Sequence, residues 1–210
     1  MKVMLVVTGL MGSGHLARTL LIARALKAAG AAPVVVSGGR AIPHLDAGGV
    51  PVAQLPPIWS DGVDYSRLLT PEGPLGPGWR AARTERLLAL FEEIAPEALV
   101  TELYPFGRRA LAAEFDALLT RARGRARIHA SVRDVLEPKR KPGRAEESAA
   151  LLREFYDLAL VHGDPALLPF SATFPLAETL GPMIRHTGYI AAPPPAPAQE
   201  GRGEVLVAVG

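Results

Sequence analysis

A glycine-rich turn, Thr8-Gly9-Leu10-Met11-Gly12-Ser13-Gly14-His15, follows an apolar run over residues 2–7 and precedes a helical pattern over 15–29. Its residue types suit an anion or a hydroxyl group. Glycines let a ligand approach the backbone, and a helix start directs unpaired N–H groups and partial positive charge outward. His15 stands in the first helical turn, where the macrodipole disfavours imidazolium, so a neutral ring able to accept a proton is expected. The competing reading is that His15 caps a backbone group or packs beneath the loop. Ser13 is read as the helix N-cap rather than a nucleophile, and Gly12, Ser13 and Gly14 as ligand contacts.

A second constellation is Glu102 with Arg108 and Arg109. Arginines in the first turn of a helix oppose its dipole, so either an anionic ligand or a salt bridge to Glu102 is expected there. Arg133 with Asp134, and His162 with Asp164, also follow apolar runs that read as strands. Asp164-Pro165 has the pattern of an N-cap followed by proline at the first helical position, a structural reading. In a parallel sheet all strand ends of this kind share one rim, so residues near 15, 102, 133 and 162 should border a single polar, basic cleft.

Other chemistries are set aside by residue type. Cysteine is absent, which removes disulfides, thiolate nucleophiles and cysteine-bound metals. The five histidines form no close pair at metal-ligand spacing, so no metal is expected. Glycines at 9, 12 and 14 do not make GxGxxG, Ser37-Gly38-Gly39-Arg40 offers no acid for a ribose, and no Gly-Lys-Ser/Thr closes the turn. NAD, FAD and P-loop nucleotides are thereby set aside, and no cofactor is expected. A net charge of +2 does not call for nucleic acid. The chain shows neither a spanning apolar run nor a signal peptide, and a cytoplasmic location is expected.

The elements that would position these residues alternate as strand and helix. Strands are expected over 2–7, 33–37, 50–54, 98–101, 127–132, 158–161 and 185–189. Helices are expected over 15–29, 79–94, 108–121 and 144–156, the second presenting Leu87, Leu88, Leu90 and Phe91 to a core and Arg80, Arg83 and Arg86 to solvent. Wholly apolar strands separated by amphipathic helices imply an α/β fold, a Rossmann-like three-layer domain with a mainly parallel sheet. Residues 55–78, rich in proline and glycine and including Trp59, Asp61, Asp64 and Tyr65, read as one long functional or mobile loop. The basic loop holding Lys139-Arg140-Lys141 is a candidate for contact with an anionic membrane surface, against the simpler reading of solvated charge. Three parts are expected: a domain over 1–190, a proline-rich linker over 191–203, and the first strand of a further α/β domain over 204–210.

The turn Gly9-Leu-Met-Gly-Ser-Gly-His15 with the helix after it resembles the start of GT-B fold glycosyltransferases. The branch it resembles is the one related to the lipid-linked N-acetylglucosaminyltransferase of peptidoglycan synthesis. Glu102-Leu-Tyr-Pro-Phe-Gly-Arg-Arg109, Ser131-Val-Arg-Asp134 and Val161-His-Gly-Asp-Pro165 are similar to stretches of bacterial predicted glycosyltransferases within it. The resemblance implies two Rossmann-like domains. The N-terminal one receives a sugar, lipid-linked or phosphorylated acceptor, with its glycine loop near acceptor phosphates or sugar, and the C-terminal one holds most of a nucleotide-sugar donor. The resemblance matches His15 to a histidine near catalysis; the rim of strand ends adds Glu102 as the second catalytic candidate, with Gly12, Ser13, Gly14, Arg108, Arg109, Arg133, Asp134 and His162 as candidates for binding substrate. Residues 1–210 alone would then be inactive. Gly12-x-Gly14-His15-x-x-Arg18 also resembles the opening of nucleotide-sugar hydrolases of the same fold, and a non-catalytic sugar- or lipid-binding fragment is the third alternative.

Overall fold

The computed structural model describes residues 1–62, 67–137 and 142–193. Strand β1 (Lys2–Val7) alternates its side chains between two cores: Met4 and Val6 face one, Val3, Leu5 and Val7 the other. Helix α1 (Gly14–Ala28) covers the second core with Leu16, Leu20 and Ala23, and ends at Gly30, whose φ of 85° closes the helix. Strands β2 (Ala32–Ser37) and β3 (Val52–Gln54) pair outward from β1 in parallel. Pro51 precedes β3, and β3 is the edge, where a missing N–H is tolerated.

Residues 55–78 are more ordered than a single loop. Three short strands, β4 (Trp59–Ser60), β5 (Leu68–Thr70) and β6 (Gly73–Pro74), form an antiparallel sheet. Leu55, Ile58 and Leu68 are buried in the main core and hold it down. Asp64 and Tyr65 lie outside the described residues. Helix α2 (Pro77–Ile94) follows, with proline in its first turn and a left-handed Ala95 at its end.

Strand β7 (Ala98–Glu102) lies on the other side of β1, so the chain reverses its direction of progress across the sheet there. Helix α3 (Ala112–Ala122), strand β8 (Arg127–Arg133), helix α4 (Arg144–Phe155) and strand β9 (Leu158–His162) continue the alternation. A short helix α5 (Ala177–Leu180) leads to the edge strand β10 (Ile184–His186). The seven-stranded sheet runs β10-β9-β8-β7-β1-β2-β3, and every pairing in it is parallel. This is the Rossmann-like three-layer arrangement. The basic loop Lys139-Arg140-Lys141 and the segment 194–210, including most of the expected linker and the further strand, lie outside the described residues.

Two elements differ from the sequence reading. The helix expected over 108–121 begins only at Ala112. Arg108 adopts a left-handed conformation (φ 61°) and a 3₁₀ turn over Arg109–Leu111 intervenes, so neither arginine stands in the first turn of α3. The cause is the preceding loop. Phe106 packs edge-on against Phe170 and Phe174, and Gly107 lies against Leu103 with no room for a Cβ. Arg83, expected on the solvent face of α2, is fully buried instead. Its Nε and Nη2 donate to both carboxylate oxygens of Glu114 on α3, at 2.9 and 2.8 Å, and Nη1 donates to the carbonyls of Gly38 and Pro56. One guanidinium thus ties two helices to the loops that follow β2 and β3.

Replacing Arg83 by Ala is expected to destabilise the fold by about 3–5 kcal/mol, because Glu114 is left charged and buried. Chemical denaturation of Arg83→Ala and of the double variant Arg83→Met/Glu114→Leu checks this, with the double variant recovering the part due to the stranded carboxylate but not that due to the Gly38 and Pro56 carbonyls.

Candidate functional site

Because the chain changes direction at β1, the loops after β1 and β7 leave their strands on opposite courses and open a crevice at the carboxyl edge. The glycine turn occupies it. Gly12 has φ 61°, which a residue with a side chain rarely adopts, and above Gly12 and Gly14 the space is open. The close approach at Gly9 is made by another loop. A Cβ on Gly39 would fall 2.3 Å from the Gly9 carbonyl oxygen, so the turns after β1 and β2 touch backbone to backbone. Ser13 takes the N-cap position of α1, but its side chain makes no capping hydrogen bond.

His15 and Arg18 lie three residues apart on α1 and therefore on one face. Both reach across to the end of β7. The Glu102 carboxylate oxygen Oε1 lies 2.8 Å from His15 Nδ1 and accepts from Arg18 Nη2 at 2.5 Å. The Glu102 side chain is 2% exposed and that of His15 24%. Burial pushes the Glu102 pKa up, but the hydrogen bond from His15 and the charges of His15, Arg108 and Arg18 outweigh it and hold the carboxyl below its ordinary value. An ionised carboxylate only accepts hydrogen bonds, so Nδ1 of His15 carries the proton. In the neutral ring Nε2 then keeps a lone pair. A partly exposed imidazole fixed by a buried carboxylate is equipped to take a proton from a hydroxyl.

The neighbouring strand ends extend this cluster. Glu102 pairs in register with Ser131, and Arg133 with His162. Ser131 Oγ lies 2.7 Å from His162 Nε2, and His162 Nδ1 lies 2.7 Å from Thr187 Oγ1, just beyond β10. Desolvation and the charge of Arg18 lower the His162 pKa to about 4, with Glu102 opposing, so this ring is neutral at physiological pH.

Other candidates are drawn elsewhere. Arg109 turns to α4, where it bonds Ser148 Oγ at 2.9 Å, the Arg144 carbonyl and Glu147. Asp134 is buried against Gly163 and accepts the N–H of Val135, which makes it a turn former. Asp164 accepts the N–H of Ala166 and caps a turn. Arg133 is exposed at the end of β8. Arg108 is half-buried and near enough to Glu102 for its charge to act there. Among the described residues no group of three His, Asp or Glu side chains is placed to hold a metal ion.

Arg18 belongs with His15 and Glu102, although the sequence reading left it outside the catalytic set. Its i, i+3 spacing from His15 was the available signal. A pair for which no local signal existed is Arg40 and Trp59, whose guanidinium and indole stack at 3.9 Å beside the glycine turn.

No protein-family profile matches the chain, and no curated protein sequence does. Solved structures match its fold. The glycosyltransferase SsfS6 of Streptomyces sp. SF2575 aligns with a TM-score of 0.52 at 17% identity, covering 81% of this chain and 52% of that one. UDP-N-acetylglucosamine 2-epimerase of Rickettsia bellii aligns with 0.54 at 12% identity, covering 90% and 45%. UGT2 of Phytolacca americana, complexed with UDP-2-fluoro-glucose and pterostilbene, aligns with 0.51 at 13% identity, covering 91% and 55%. The chain spans about half the length of each, as one half of a GT-B fold does.

The depressed pKa of His162 makes stability depend on pH. Between about pH 4 and 6.5 the unfolded chain binds the proton that the folded ring refuses, so its contribution is complete above 6.5 and is lost as pH falls toward 4. Unfolding free energies measured across this range should fall on acidification, by about 3 kcal/mol from this group. A His162→Gln variant should show a shallower dependence.

Proposed function

We propose that this chain is the acceptor-side half of a glycosyltransferase that moves a sugar from a nucleotide-sugar to a hydroxyl of a sugar, lipid-linked or phosphorylated acceptor. The observation that carries the reading is the buried Glu102 carboxylate, bound to His15 Nδ1 and Arg18 at the point where the sheet order reverses. A GT-B half supports it through the fold, and the nucleotide-sugar analogue bound by UGT2 supports the donor class. The donor would lie mostly on a second Rossmann-like domain of the whole protein.

In this reading Nε2 of His15 removes the proton from the acceptor hydroxyl. The oxygen forms a bond to the anomeric carbon of the donor sugar, and the nucleoside diphosphate leaves with the bonding pair. Glu102 acts through His15: it fixes the tautomer and balances the imidazolium formed. The hydrogen bond from His15, with the charges of Arg108 and Arg18 beside it, keeps Glu102 ionised, so that the carboxylate does not take up the proton itself. Backbone groups of Gly12, Ser13 and Gly14, with Arg108 and Arg133 on the rim, contact the acceptor. His162 and Ser131 brace the neighbouring strand ends. A cytoplasmic protein, peripheral to the inner membrane face when the acceptor is lipid-linked, fits this role; among the described residues no helix is long and apolar enough to cross a membrane.

The test uses the full-length protein and follows nucleoside diphosphate release from UDP- and TDP-sugars with and without acceptor. Release that requires acceptor, and that falls about 10²–10⁴-fold in His15→Ala with folding intact, is expected for transfer. Rapid release without acceptor would assign a nucleotide-sugar hydrolase, with water in place of the acceptor. Near-normal turnover in His15→Ala would overturn the role given to the histidine, and no release from any donor would leave the non-catalytic binding alternative.

A further inference from the structure

On the β2 side of the glycine turn, away from His15, a pocket of about 230 Å³ is lined by Met11, Arg40, Ile42, Trp59, Ser60 and Asp61 beside the backbone of Gly9 and Gly12. Two fixed contacts build its walls. The Ser60 N–H donates to the Leu10 carbonyl at 2.9 Å, and Met11 lies over Gly62, within 3.4 Å of where a Cβ would stand. The buried Arg83 guanidinium holds the Gly38 and Pro56 carbonyls, in the loops that lead to Arg40 and to Trp59.

Arg40 is the chemically informative residue here. It is exposed and stacked on Trp59 at 3.9 Å, and among the described residues it has no carboxylate partner. Stacking fixes the guanidinium plane and leaves its N–H donors free along the edge. A planar donor fork of that kind recognises phosphate or carboxylate through paired hydrogen bonds. Holding the side chain in advance lowers the entropy lost on binding. Met11 and Ile42 add an apolar side that a lone ion would not use. The cavity is smaller than the ~300–1,000 Å³ of sites for drug-sized ligands, so it suits one ring or one anionic substituent rather than an acyl chain.

We propose that this pocket binds a phosphate or carboxylate borne by the acceptor sugar, with Arg40 as the recognising cation and Trp59 as the platform that holds it. The proposal rests on the glycosyltransferase reading above, selects the acidic or phosphorylated sugar among the acceptors that reading allows, and assigns its recognition to Arg40 and Trp59. The glycine turn then lies between the anion and His15, so the sugar bridges the turn with its reacting hydroxyl on the β7 side.

Binding to the 210-residue chain tests this without turnover. The chain has two tryptophans, so Trp79→Phe leaves Trp59 as the fluorescent reporter. Glucose 1-phosphate or glucuronate should change its emission saturably, while glucose should not. Arg40→Ala should weaken binding about tenfold or more, and Arg40→Lys less, because lysine keeps the charge without the fork. No saturable response to either acid, or an undiminished response in Arg40→Ala, would overturn the site. Tighter, Arg40-dependent binding of UDP than of both sugar acids would assign the pocket to the donor diphosphate and overturn the acceptor claim. Acid binding by a full-length protein that releases no nucleotide would sink the glycosyltransferase reading instead and leave the pocket standing.

Discussion

An ionised carboxylate taken out of water needs cationic or donor partners, and at Glu102 two of them, His15 and Arg18, converge on Oε1 and organise the carboxyl edge of the sheet. Strand β7 delivers the residue to a position with 2% exposure. Helix α1 answers with two side chains one turn apart, so the loop joining β1 to α1 must set the helix at a fixed height above β7. The glycine turn does that, with Gly12 in a conformation that a side chain would strain. The pairing of His15 with Glu102 is therefore both a fold contact and the feature from which proton transfer follows.

A second buried ion pair supports the first from below. Arg83 and Glu114 join α2 to α3, and the remaining Arg83 donors hold the loops after β2 and β3. Those loops carry Arg40 and lead to Trp59. The two halves of the crevice are thus positioned by different charges: Glu102 on the β7 side, Arg83 on the β2 side. The glycine turn between them touches both, through His15 in one direction and the Gly9–Gly39 backbone contact in the other.

The parallel sheet was legible because its central strands are continuously apolar and its helices carry apolar residues at helical spacing; β1, β2, β7 and β9 fall within a residue or so of their expected bounds. The shared rim followed from that topology. What stayed hidden depends on distant partners. Arg83 sits at a position that reads as solvent-facing, and its partner Glu114 lies 31 residues away in the chain. Strands of two or three residues, as in β4 to β6, are too short for a period to register. The left-handed turn at Arg108 arises from packing of Phe106 and Gly107, so a helix pattern starting at 108 could not reveal it. Position after a strand brought Arg109 and Asp134 into the candidate site, and their contacts with α4 and with Gly163 could not be read from that position.

The central claim is that Glu102 fixes His15 with a proton on Nδ1 and a lone pair on Nε2. The ¹⁵N chemical shifts of the neutral His15 ring, recorded across a pH titration of the wild-type chain and of Glu102→Gln, test it most directly. The account predicts a protonated Nδ1 and an unprotonated Nε2 in the wild type, with that preference lost or reversed in the variant. A wild-type ring protonated on Nε2 alone, or one unaffected by the loss of the carboxylate, would contradict it.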